Sequence, residues 1–163
     1  TRNPMNLPPI WPGQLPQPQE ELFLPAPPGI SVTPYATGLE VVWSLDFAPD
    51  GRLFLAEREG RIRVVSPDGQ LDPTPWKTFE GMEVRTEDGL LGLILDPDLE
   101  QEPWVYVYYT VDNGDTLVNR VSRFLEENGR AGREEVLIDN IDSHRIHNGG
   151  RLEFGPDGVL ENG

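Results

Sequence analysis

An all-β protein built from repeated four-stranded units is what this sequence predicts, and three observations carry the prediction. From about Val32 onward, short runs of β-branched and aromatic residues alternate with turn chemistry. No segment after residue 34 keeps apolar residues at helical spacing for long enough to make a helix. One unit also recurs: FAPDGRLFLA (Phe47 to Ala56), LDPDLEQEPWVYVYY (Leu95 to Tyr109) and FGPDGVL (Phe154 to Leu160) each run apolar residue, one residue, Pro-Asp, turn, strand. Their prolines, Pro49, Pro97 and Pro156, are 48 and 59 residues apart. Periods of about 40 to 50 residues with four strands each mark β-propeller blades. A β-sandwich, the competing all-β arrangement, has no reason to repeat a unit of that length.

Taken in order, the chain opens with a proline-rich stretch: ten of its 17 prolines lie in the first 34 residues. Proline removes amide donors and biases its predecessor toward extended geometry, so residues 1 to 30 are expected to form an extended arm. Leu7, Ile10, Trp11, Leu22, Phe23 and Leu24 are the apolar residues by which that arm would lie against something. Residues 31 to 163 form the propeller part. Val41 to Phe47, Leu53 to Ala56 and Arg61 to Val65 read as strands of one unit, separated by Pro49-Asp50-Gly51 and Gly60, with Ser66-Pro67-Asp68-Gly69 turning after them. Leu90 to Leu95, Trp104 to Thr110, Leu117 to Phe124 and Glu135 to Ile138 read as the next four. Their breaks are Asp96-Pro97-Asp98, Asn113-Gly114-Asp115 and Asn128-Gly129. At about 45 residues per blade, residues 35 to 163 hold about two and a half blades, while closed propellers have about four to eight. The ring is therefore expected to be cut short at the C-terminal side, leaving apolar blade faces that self-association or a partner chain would cover.

Composition narrows the partners. Thirteen Lys+Arg against 28 Asp+Glu give a net charge of −15 at pH 7. That charge repels phosphate backbones and argues against nucleic acid as a partner. With no Cys there is no disulfide framework, thiolate metal site or Cys nucleophile. No apolar run approaches the roughly 18 to 20 residues of a membrane span, and no signal peptide is visible.

LEVVWSLDFAPDGRLFLAEREGRIRVV, EDGLLGLILDPDLEQEPWVYVYYT and RIHNGGRLEFGPDG resemble, in order and spacing, three signature segments of the soluble glucose/sorbosone dehydrogenases, the pyrroloquinoline-quinone-dependent aldose dehydrogenases. The resemblance covers about residues 30 to 160. It implies a six-bladed propeller, secreted or periplasmic, that binds the quinone with calcium over the central channel and oxidises the anomeric hydroxyl of a sugar. This chain would supply the first two blades and the start of the third, and by itself would not hold the quinone or calcium.

The same resemblance makes His147 the general base, with Asn148 and Arg151 of its His-Asn-Gly-Gly-Arg-Leu segment beside the cofactor. It also places Glu87, and Asp88 next to it, in contact with the quinone ahead of the Gly-Leu-Leu-Gly turn. Asp142 would at most orient the base. Elementary chemistry agrees at His147, because imidazole accepts a hydroxyl proton near neutral pH and neighbouring glycines let a bulky planar group approach the backbone. The bland readings are a turn histidine and a solvated acidic loop.

His144 and His147 are not expected to ligate a metal together, since a three-residue offset in extended chain points them apart. Asp112-Asn113-Gly114-Asp115 lacks the distal Glu of a calcium loop and reads as a hairpin turn. No metal ligands are assigned. The alternative to a sugar dehydrogenase is a propeller-derived binding or structural module that has lost catalysis.

Overall fold

The computed structural model describes residues 31–162 apart from positions 32 and 83. The expected proline-rich arm, with Trp11 and Phe23, lies outside the described residues. Ten strands and no helix make up the described chain.

Blade one is β1 (Val42–Phe47), β2 (Leu53–Glu57), β3 (Arg61–Val65) and β4 (Lys77–Thr78), paired antiparallel in chain order. Blade two repeats the order with β5 (Leu90–Leu95), β6 (Trp104–Asp112), β7 (Leu117–Glu127) and β8 (Arg130–Asp142). Blade three is represented by the hairpin of β9 (Leu152–Phe154) and β10 (Leu160–Asn162). The turns at Pro49, Pro97 and Pro156 all join the first strand of a blade to the second, as the repeat required. In two of them a glycine takes the left-handed conformation the turn needs, at Gly51 (φ 85°) and Gly158 (φ 77°).

One strand had no clear sequence signal, and another is longer than the sequence suggested. β4 is only two residues long and follows Pro73 and Pro75, so no alternation announces it. β8 runs well beyond the expected Glu135 to Ile138 because the long β7 gives it a template. Its Arg, Glu and Asn residues are poor strand formers, and the pairing shifts register three times along its length.

The blades are held by the apolar layers between them. Phe54, Ile62 and Trp76 of blade one pack on Leu93, Leu95, Val107 and Phe124 of blade two. Phe54 is wholly buried and meets Trp76 edge-on at 5.7 Å between ring centres. Burying one such side chain contributes about 1.5 to 3 kcal/mol. On the far face of blade two, Leu91, Trp104, Tyr106, Tyr108 and Val121 pack against Leu152 and Phe154 of the third blade. On the far face of blade one, Leu53, Leu55 and Val65 are covered by Ala36, Leu39 and Leu71. Exposed apolar surface lies on β1, where Leu45 and Phe47 are 54% and 57% exposed, and also at Val136, Leu137 and Ile138 of β8 and at Val159 of the last hairpin.

The first strands of the three blades stand side by side. The Ser44 hydroxyl donates to the Leu93 carbonyl and accepts the Leu93 amide, both at 3.2 Å, and Asp46 accepts the Leu95 amide at 2.9 Å. Between β5 and β9 the approach is so close that a Cβ on Gly92 would lie 2.0 Å from the Gly150 carbonyl oxygen. In both complete blades the first strand carries a one-residue bulge at the same place, at Trp43 between Val42 and Ser44 and at Leu91 between Leu90 and Gly92. The loops that precede β5 and β9 therefore emerge at one end of the array, where the bulges lie.

Candidate functional site

Two loops meet at that end. Residues 84 to 89 lead into β5, and residues 143 to 151 lead from β8 into β9. Glu87 Oε2 accepts the His147 backbone N–H at 2.7 Å, and the Glu87 N–H donates to the Arg145 carbonyl at 3.3 Å. The Thr86 hydroxyl donates to the same carbonyl. His147 and Glu87, 60 residues apart in sequence, are thus neighbours. The 143 to 151 segment is a loop and not extended chain. His147 itself is left-handed, φ 62°, so the strand-based argument for separating His144 from His147 does not apply to the folded chain. The His147 residue is exposed, and Glu87 is half-buried.

Asn148 lies beneath them, 7% exposed, and its amide laces the loops together. Its Oδ1 accepts from the His144 N–H (2.9 Å), Asn119 Nδ2 (3.1 Å) and the Ser143 hydroxyl (3.2 Å). Its Nδ2 donates to the carbonyls of His144 (2.6 Å) and Glu87 (3.1 Å). The Tyr108 hydroxyl donates to the Asn148 carbonyl at 2.9 Å, and burial pushes that phenol up, so it remains protonated and donating. Asp88, 2% exposed, turns its carboxylate inward to the Arg85 and Thr86 N–H groups. The expectation that Asn148 and Asp88 reach a cofactor thus meets side chains already committed to hydrogen bonds within the protein. Arg151 is exposed, 3.2 Å from Glu153. Asp142 is exposed at the end of β8, where its carbonyl accepts from Asn119.

Sequence reasoning missed the support beneath these residues. Asn119, wholly buried on β7, links Asn148 to the Thr110 hydroxyl (2.8 Å), which in turn accepts the Gly89 N–H (3.1 Å). Arg58, in the β2–β3 turn, donates to the Thr86 carbonyl at 2.8 Å, and its own carbonyl accepts the Leu90 N–H at 2.9 Å. Arg61 pairs with Glu57 and Glu40 at 2.7 Å each. Arg58, 3.9 Å from Glu59, also bridges blade one to the Glu87 loop, and no local pattern signals that.

Four guanidinium groups, those of Arg58, Arg85, Arg145 and Arg151, belong to these loops or bear on them. Among the described residues Arg85 and Arg145 make no ion pair. Asp112-Asn113-Gly114-Asp115 closes on itself, Asp112 accepting the Gly114 N–H and Asn113 accepting those of Asp115 and Thr116. No three His, Cys, Asp or Glu side chains converge among the described residues. No helix there is long and apolar enough to cross a membrane.

Residues 39–161, about three quarters of the chain, match the glucose/sorbosone dehydrogenase family. The chain belongs to this family. Among solved structures it is similar to a Thermus thermophilus oxidoreductase described as a glucose dehydrogenase, with TM-score 0.70 and 43% identity over 77% of this chain and 38% of that one. It is also similar to the PQQ-bound aldose sugar dehydrogenase of Streptomyces coelicolor, with TM-score 0.69 and 34% identity over the same shares of the two chains. These family members are β-propellers, and the sheets described above are consecutive blades of that fold. Among curated proteins the chain is 30% identical over 142 residues to mouse Hedgehog-interacting protein, covering 76% of this chain and 20% of that protein. It is 26% identical over 125 residues to quinoprotein glucose dehydrogenase B of Acinetobacter calcoaceticus, covering 70% of this chain and 26% of that protein. The chain spans only about a fifth of the Hedgehog-interacting protein and under two fifths of the solved dehydrogenases.

Proposed function

We propose that this chain is the opening part of a soluble, extracytoplasmic quinoprotein that oxidises the anomeric hydroxyl of an aldose, with His147 as general base. The observation that supports the reading is the hydrogen bond from the His147 backbone N–H to Glu87, which ties the exposed His147 to the loop that carries Glu87. His147 itself is left-handed, and Asn148 anchors its loop from below. In this role an imidazole nitrogen of His147 takes the hydroxyl proton as the sugar's C1–O bond becomes a carbonyl. Pyrroloquinoline quinone, when bound, supplies the acceptor for the hydride leaving C1. The cofactor is a planar tricarboxylate; Arg85 and Arg145, which make no ion pair among the described residues, and Arg151, 3.2 Å from Glu153, are the cations of the two loops that would meet its carboxylates. Calcium belongs to the same proposal, with ligands outside this chain.

Dye-coupled glucose oxidation by the full-length protein, supplied with the quinone and calcium, tests this. His147→Ala should lower turnover by about 10² to 10⁴ while leaving quinone affinity within a few-fold. Turnover unchanged by that substitution would remove His147 from the reaction. The likeness to Hedgehog-interacting protein favours a second reading, a binding module without catalysis. A full-length protein that neither binds the quinone nor oxidises sugars would establish it.

A further inference from the structure

We propose that Trp43, backed by Arg58, is a stacking platform for a planar, carboxylated aromatic ligand beside the loop that carries Glu87. This rests on the reading above and names the surface on which the quinone's ring system would lie.

The placement follows from the repeat. Trp43 and Leu91 are 48 residues apart, and each is the bulged residue of its blade's first strand. A bulge turns a side chain out of the strand's alternation. At Leu91 the effect is visible: Leu93 and Leu95 pack toward blade one, whereas Leu91 packs toward blade three, with the Leu152 cluster. It also touches the loop that carries His147, since a Cβ on Gly150 would lie 2.9 Å from that of Leu91. Trp43 is turned in the same sense and so stands by the loop that carries Glu87. Arg58 confirms the neighbourhood. Its Cζ is 5.5 Å from the centre of the Trp43 ring while its Nη1 holds the Thr86 carbonyl.

Leu91 is 4% exposed, but Trp43 is 46% exposed, an unusual state for the largest apolar side chain in a fixed position. A guanidinium over one face of an indole is a cation–π contact, and it draws ring electron density toward that face. The other face then disfavours a second cation and suits a planar, electron-poor ring that carries its negative charge on carboxylates within reach of the guanidinium. Arg58 adds charge of the right sign, and its buried Nε–H has no partner among the described residues. A planar ring with carboxylates therefore suits the pair better than an uncharged sugar.

The test is binding of pyrroloquinoline quinone to the full-length protein in calcium-containing buffer, by calorimetry and by quenching of indole emission. Trp43→Ala should weaken binding about tenfold or more and abolish the quenched component, while Trp43→Phe, which keeps a stacking face, stays within a few-fold of wild type. Arg58→Gln should also weaken binding. Equal affinity in wild type and Trp43→Ala overturns the platform and leaves the quinoprotein reading standing. So does a Trp43→Phe loss as large as that of alanine. Absence of quinone binding by the wild type overturns the quinoprotein reading, and the platform with it. Should Trp43→Ala fold poorly, the quenching of wild type and the phenylalanine variant still decide the matter.

Discussion

Replacing Asn148 with alanine should loosen the loop that carries His147 more than any other single truncation at this end of the molecule. The side chain makes five hydrogen bonds, three to Oδ1 and two from Nδ2. A net contribution of about 1 kcal/mol each would total about 5 kcal/mol, but His144 and its neighbours are exposed, so water replaces part of what is lost. Asn119 is sealed at 0% exposure and would keep only the Asp142 carbonyl for its Nδ2. The expected cost is about 3 kcal/mol, on the order of a hundredfold in the opening equilibrium of the loop. For a unit of this size that corresponds to a fall of about 10 °C in Tm where loop and global unfolding are coupled. Hydrogen exchange decides between the two, because the His147 N–H is protected through Glu87 and that protection depends on the loop staying closed. Asn148→Asp should behave nearly as badly, since a carboxylate accepts from His144 and Asn119 but donates nothing to the His144 and Glu87 carbonyls. If Asn148→Ala left both Tm and His147 exchange at wild-type values, Asn148 would not be the loop's anchor.

Gly92→Ala drives a methyl group against the Gly150 carbonyl oxygen, 2.0 Å away in the unrelaxed geometry, and should cost about 1 to 3 kcal/mol while deprotecting residues 147 to 150 in hydrogen exchange; unchanged melting would mean that β5 and β9 are less closely apposed. Alkaline titration should destabilise the fold: Tyr106, Tyr108 and Tyr109 have phenols raised above the ordinary value of 10.0, chiefly by burial. The folded state then binds more protons than the unfolded one, so their contribution is fully present below pH 10 and is lost as pH rises through the raised values. Thermal melts from about pH 8 to about pH 11 should show a plateau and then a decline, and a flat profile to the top of that range would contradict the sign.

What the sequence determined by itself is the local part of this protein. Pro-Asp-Gly turns, period-two runs and a recurring unit are set by residues within a few positions of one another, and Pro49, Pro97 and Pro156 indeed sit at one blade position. Glu87 and His147 were legible as residues through the resemblance of their segments, but their hydrogen bond was not. Only the stacking of blades brings positions 60 residues apart within 2.7 Å. The same stacking turned Asp88 and Asn148 inward, because loops crossing a blade edge need buried acceptors and donors for their own backbone. Trp43 shows the limit most plainly. Alternation alone would put it on the face of Leu45 and Phe47, and a bulge, which depends on how β1 registers against β2, directs it to the other. Turn chemistry is short-ranged and is written in the chain. Register and blade packing are long-ranged, and they decided which side chains the site presents.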